Sequence, residues 1–148
     1  MADFGFSFDI CVLHHQLEDV IKLVEQCPEV EFVLDHCGKP PIKSQQLDPW
    51  REHISALAGF YNVCCKLSGL ATEADTDNWR SPDLEPYIQH VLAAFGPQRL
   101  MFGGDWPVSK LATTYPRWLE AVCIQTAHLA AAEQQAILLN NGRRFYRI

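Results

Sequence analysis

No stretch of this sequence approaches the roughly 18 uninterrupted apolar residues that a bilayer-spanning helix requires, and Met1-Ala2-Asp3-Phe4-Gly5 offers no basic leader. Basic clusters are missing too. With 12 Lys and Arg against 18 Asp and Glu, the net charge is −6, so phosphate backbones and anionic surfaces find little to attract them. Nucleic acid and membrane are excluded as partners, and the reading is a soluble cytoplasmic protein. The six cysteines (Cys11, Cys27, Cys37, Cys64, Cys65, Cys123) contain no C-x-x-C pair. That excludes zinc fingers and dithiol redox motifs; most of the cysteines sit in apolar runs, where a reduced thiol packs as a small hydrophobe. Low-complexity linkers are absent, so residues 1–148 read as a single domain.

What is present is an alternation. Four short apolar, β-branched segments, Phe6–Leu13, Glu31–Leu34, Asn62–Leu67 and Arg99–Phe102, are separated by helical patterns. Leu17, Val20, Ile21 and Val24 make one helical face, which Pro28 stops. Asp48-Pro49 reads as a cap followed by a first-turn proline, opening a helix to about 60 with Trp50, Ile54, Leu57 and Tyr61 inward. A third helix opens near Asp83 with Pro86 in its first turn, carries Leu84, Ile88, Val91, Leu92 and Phe95, and ends at Gly96-Pro97. Two more follow, near 114–127 and 130–140, the last with Gly142 as a left-handed terminator.

Strands alternating with helices at this spacing are parallel, because each crossover helix returns the chain to the same end of the sheet. The expectation is four parallel strands, near 7–13, 31–35, 62–67 and 99–104, in sequential order. Four βα units fill 148 residues, whereas a complete (β/α)8 barrel takes about 250. The α/β pattern therefore fits half a barrel or a small doubly wound sheet.

In parallel α/β folds reactive groups sit where strands end. Here the ends read His14-His15, Asp35-His36-Cys37-Gly38-Lys39-Pro40, Lys66-Leu67-Ser68-Gly69 and Gly103-Gly104-Asp105-Trp106-Pro107. A carboxylate there takes a proton from water, and an imidazole binds a metal or polarises a carbonyl. Asp105, between Gly-Gly and Trp-Pro, is read as functional. Asp35 is read as a loop cap, because adjacent strand residues face opposite ways and only one of Asp35 and His36 looks into a site. The same alternation leaves one of His14 and His15 inward and packs the other on a helix. Lys66, charged within an apolar strand, must snorkel out or face a polar site. His53, His90 and His128 lie on helical patterns and receive no role.

The runs Phe32–Pro40, Cys65–Leu70 with Thr72-Glu73-Ala74, Met101–Val108 and Arg144-Phe145-Tyr146 closely resemble the amidohydrolase-related lactonases, in particular the L-fuconolactonase group. The resemblance implies a (β/α)8 barrel of the amidohydrolase superfamily that opens sugar lactones to aldonic acids. That family begins with a His-x-His pair absent here, so the chain corresponds to the C-terminal half, strands five to eight. It also reads Gly-Ser where Gly103-Gly104 stands, and Asn-Ala where Asn140-Asn141-Gly142 stands. By resemblance His36 and Asp105 are catalytic and are the ligands of any divalent metal such as zinc. His14, His15, Lys66 and Trp106 are assigned to substrate binding. A catalytic zinc takes about three protein ligands, and His36, Asp105 and one of His14 and His15 are the available set, which leaves metal dependence open. Two other readings stand beside lactone hydrolysis: a pyrone lactonase or decarboxylase, which would need arginines in the βα loops, and a catalytically silent half-barrel. An open half-barrel exposes its interior and edges, so self-association into a homo-oligomer is expected.

Overall fold

Four parallel strands form one sheet in the computed structural model, which describes residues 4–148; Met1–Asp3, part of the segment read as lacking a leader, lie outside the described residues. The strands are β1 (Phe8–Ile10), β2 (Phe32–Leu34), β3 (Val63–Leu67) and β4 (Leu100–Phe102), in the sequential order β1-β2-β3-β4. Phe8 lies opposite Phe32, Phe32 opposite Val63, and Cys65 opposite Leu100. The strands are shorter than the apolar runs: Glu31, Asn62 and Arg99 fall before β2, β3 and β4, and β1 keeps only the middle of Phe6–Leu13. Among the described residues no helix is long and apolar enough to cross a membrane.

Period-two alternation divides the sheet. Ile10, Phe32, Leu34, Val63, Cys65, Leu67 and Leu100 face the helices and share one buried core with them. The facing helices are α1 (Leu17–Gln26), α2 (Trp50–Ala58), α4 (Ser81–Phe95) and α5 (Tyr115–Gln125), with a single turn, α3 (Leu70–Glu73), after β3. On the opposite face Val33, Cys64 and Met101 form a small cluster with Phe145, which arrives on the last helix, α7 (Asn141–Tyr146).

Several local expectations are corrected. Asp48 does not cap α2; its carboxylate pairs with Arg51 at 2.8 Å. Tyr61 falls beyond the end of α2 and is 82% exposed instead of facing the core. Helix α4 begins earlier than expected because the Asp83 carboxylate accepts the Arg80 N–H, with Pro82 in the first turn, so Pro86 lies inside the helix. Gly142 terminates nothing: α6 (Ala131–Gln135) runs through a π turn at Ala136–Asn140 into α7, and the left-handed residue that ends it is Arg147, with φ 58°. Of the six cysteines only Cys37 and Cys65 are buried, and Cys11 is exposed.

Candidate functional site

The C-terminal end of the sheet is made of sharp turns pinned from below by buried indoles. After β2 the chain enters left-handed backbone at His36 (φ 55°), Cys37 (φ 52°) and Lys39 (φ 48°), and after β4 at Asp105 (φ 52°). Such φ values are uncommon outside glycine and persist where surrounding contacts dictate them. Trp50 supplies one such contact, donating its indole N–H to the Cys37 carbonyl at 2.8 Å. Trp118 does the same for Gly103 at 2.9 Å, and Trp79 for Ala112 at 2.8 Å.

These turns bring His36 and Asp105 together. His36 Nε2 lies 3.7 Å from Asp105 Oδ1, with the side chains only 16% and 12% exposed. His36 Nδ1 meets the buried Ser68 hydroxyl at 2.8 Å, which fixes the ring and aims Nε2 at the carboxylate. Gly69 closes the third side. Its φ is 64°, and a Cβ there would stand 2.7 Å from His36 Nδ1 and 3.1 Å from Asp105 Oδ2, so only glycine fits.

Burial holds the His36 imidazolium below its ordinary pKa, against the pull of Asp105 and Asp35, with Lys39 and Lys66 adding to the lowering. The lowered pKa favours the neutral ring, the form that a metal ligand must take. Burial also raises the half-buried Glu73 carboxyl, opposed by Lys39 and His14 and reinforced by Asp105. Among the described residues no side chain donates a hydrogen bond to the Asp105 carboxylate, and its oxygens are not among the buried unpaired polar atoms, so they stay open to water.

The remaining residues singled out from the sequence are placed differently. Lys66 points from the helix-free face into a cluster with Asp9, at 3.0 Å, and Asp35, with the Tyr146 ring 5.4 Å from its ammonium. Burial works against its charge, but Asp35, Tyr146 and Asp9 outweigh burial and raise its pKa above that of an ordinary lysine. His14 accepts a place near the site, its Nδ1 3.2 Å from the Lys39 carbonyl oxygen. His15 is exposed, with its ring edge-on to His14, instead of packing on a helix. Trp106 is 76% exposed and borders a depression of about 490 Å³ shared with Gly104, Lys110 and Tyr115.

Asp35 is the residue that strand alternation misjudged. The strand stops at Leu34, and the left-handed turn that follows lets both Asp35 and His36 serve the same end of the sheet. Ser68 and Gly69 stood at a polar strand end in the sequence, and that location was the signal for them.

A divalent metal fits the His36–Asp105 pair. Two ligands of a tetrahedral zinc stand about 3.5 Å apart, close to the observed 3.7 Å, and Ser68 supplies the outer hydrogen bond that such an imidazole requires.

The comparisons with known proteins agree with this geometry. The amidohydrolase family model matches residues 1–148. An L-fucono-1,5-lactonase of Burkholderia ambifaria is 39% identical over 156 residues, covering 100% of this chain and 52% of that protein. The uncharacterized protein y4mH of Sinorhizobium fredii is 32% identical, covering 100% of this chain and 49% of its own length. A zinc-bound amidohydrolase crystal structure from Burkholderia multivorans superposes with a TM-score of 0.95 at 38% identity, over 99% of this chain and 54% of that one. The chain thus spans about half the length of the relatives it matches, and its four parallel βα units are half of a (β/α)8 barrel. It belongs to the amidohydrolase family.

Proposed function

We propose that this chain supplies the catalytic edge of a sugar lactonase, with Asp105 as general base. The observation that supports this most is the Asp105 carboxylate itself, largely shielded beside the His36 imidazole yet without a side-chain hydrogen-bond donor among the described residues. A carboxylate in that state is available to a water molecule. As the water oxygen attacks the lactone carbonyl carbon, Asp105 accepts its proton and negative charge grows on the carbonyl oxygen. With Ser68 donating to His36 Nδ1, the opposite nitrogen carries N–H and donates to that oxyanion. Collapse of the tetrahedral intermediate breaks the ring C–O bond, and the alkoxide takes the proton to give the aldonic acid.

The serine hydroxyl can also turn and accept from Nδ1–H, leaving the Nε2 lone pair for a cation. A divalent metal such as zinc, held by His36 and Asp105, would polarise the carbonyl. The superposed relative contains zinc, which supports that option without fixing the metal for this chain.

A neutral polyol substrate suits the arginine placement better than a dicarboxylate. Arg51 pairs with Asp48, Arg99 binds the carbonyls of Ala58 and Phe60, Arg117 lies 4.0 Å over Trp79, and Arg144 binds Gln98. These four are engaged away from His36, and Arg80, exposed just before α4, is the one arginine left in the loop region that follows β3. We further propose that the open β1 edge, where Phe8 and Leu23 border a groove of about 450 Å³, promotes self-association, which elution volume would reveal.

The test is hydrolysis of a panel of sugar lactones by this chain and by the same chain fused to the His-x-His-bearing half of a lactonase relative. We expect little turnover from the chain alone, because an open cavity lets water screen the site. The fused form should turn over, and Asp105→Asn should lower its kcat by about 10²–10⁴. No hydrolysis of any lactone by a folded fusion, or turnover indifferent to Asp105→Asn, would overturn the reading.

A further inference from the structure

A second set of donor atoms meets at the same edge of the sheet. Cys11 follows the last residue of β1, and Asp35 follows the last residue of β2; Ile10 and Leu34 are register partners, so the two residues leave adjacent strands side by side. His36, in left-handed backbone, joins them. A sulfur of Cys11, a carboxylate oxygen of Asp35 and a ring nitrogen of His36 all lie within 4.8 Å of one another. We propose that Cys11, Asp35 and His36 form a binding site for a thiophilic divalent cation of the zinc, cobalt or cadmium class.

The donor set selects the ion. One thiolate, one carboxylate and one imidazole match zinc-like metals, whereas magnesium and calcium favour all-oxygen shells. Three protein ligands leave a fourth position for water or substrate. The outer partners are in place as well. Ser68 holds His36 Nδ1, and the Lys66 ammonium pairs with Asp35 Oδ1 at 2.5 Å, so the imidazole and the carboxylate are oriented before an ion arrives. Cys11 is exposed and gives the ion its way in. Zinc-type bonds bring ligand atoms to about 3.5 Å, so loading closes the trio by about an ångström. Because His36 also faces Asp105, an ion in this seat and one between His36 and Asp105 are alternatives.

Cobalt titration of the full chain distinguishes them, and it does so without any reference to lactone hydrolysis. A thiolate ligand gives cobalt(II) a near-ultraviolet charge-transfer band that carboxylate and imidazole ligands do not. The wild-type chain should show the band at one equivalent. Cys11→Ser, a near-isosteric exchange at an exposed position, should abolish it and weaken cobalt binding about tenfold or more with an unchanged circular dichroism spectrum. Asp105→Asn should keep the band. Absence of a band in the wild type, its persistence in Cys11→Ser, or its loss in a folded Asp105→Asn variant would each overturn the proposal.

Discussion

The two ends of the sheet are held by different means. At the N-terminal end, long polar side chains reach back to loop carbonyls. Asn62 donates to Val30, Arg99 to Ala58 and Phe60, and Asn141 to Pro97 and Leu100. No described non-glycine residue in those turns has a positive φ. At the C-terminal end His36, Cys37, Lys39 and Asp105 are all left-handed, the side chains of His36, Asp105, Asp35 and Lys66 are mostly buried, and indoles hold the carbonyls. One end is satisfied polar packing; the other stores backbone strain and leaves a carboxylate unpartnered. Such a difference separates the stabilising side of a parallel α/β fold from its reactive side.

The largest expected effect is at the stabilising end. Asn141 is buried and donates two bonds of 2.7 Å to the entry of β4, so Asn141→Ala leaves two carbonyls unsatisfied. Chemical denaturation should show a loss of about 2 kcal/mol, while cobalt binding at the far end stays unchanged in the folded variant. Gly69→Ala comes next. The added methyl meets both a forbidden φ and the His36 ring, and we expect a loss of about 1–2 kcal/mol together with displacement of His36, read as a shifted imidazole resonance by NMR.

The smallest effect is the pH dependence of His36. Its folded pKa is lowered by burial, so as pH falls the unfolded chain takes up the proton first. The stability this ring contributes is therefore full above about 6.5, the ordinary histidine value, and falls as pH drops from there toward the lowered native value. Subtracting a His36→Gln variant, measured by denaturation from pH 7.5 downward, should isolate a slope of that sign; a slope of opposite sign would show that His36 is held as the cation.

Much of this was legible in sequence. Period and punctuation gave the four strands and their parallel order, and the strand-end rule picked out His36 and Asp105. What eluded it was geometry that only tertiary packing decides. The Asp83 carboxylate moved the start of α4, a π turn carried the last helix past Gly142, and the left-handed turn after Leu34 cancelled the alternation that had set Asp35 aside. For Lys66 the sequence left two options, snorkelling out or facing a polar site, because its partners, Asp9 on β1 and Asp35 just after β2, come from distant parts of the chain. Cys11 gave no local signal, because its donor neighbours come from 24 and 25 positions further along the chain.

The central claim is that the C-terminal edge keeps Asp105 for chemistry at the expense of stability. Equilibrium unfolding of Asp105→Asn tests it directly. Neutralising a mostly buried carboxylate that no side chain hydrogen-bonds should leave the chain at least as stable as wild type, and by our account more stable by about 1 kcal/mol. A loss of about 1 kcal/mol or more would show instead that Asp105 anchors the fold, and would contradict its assignment as the group reserved for the reaction.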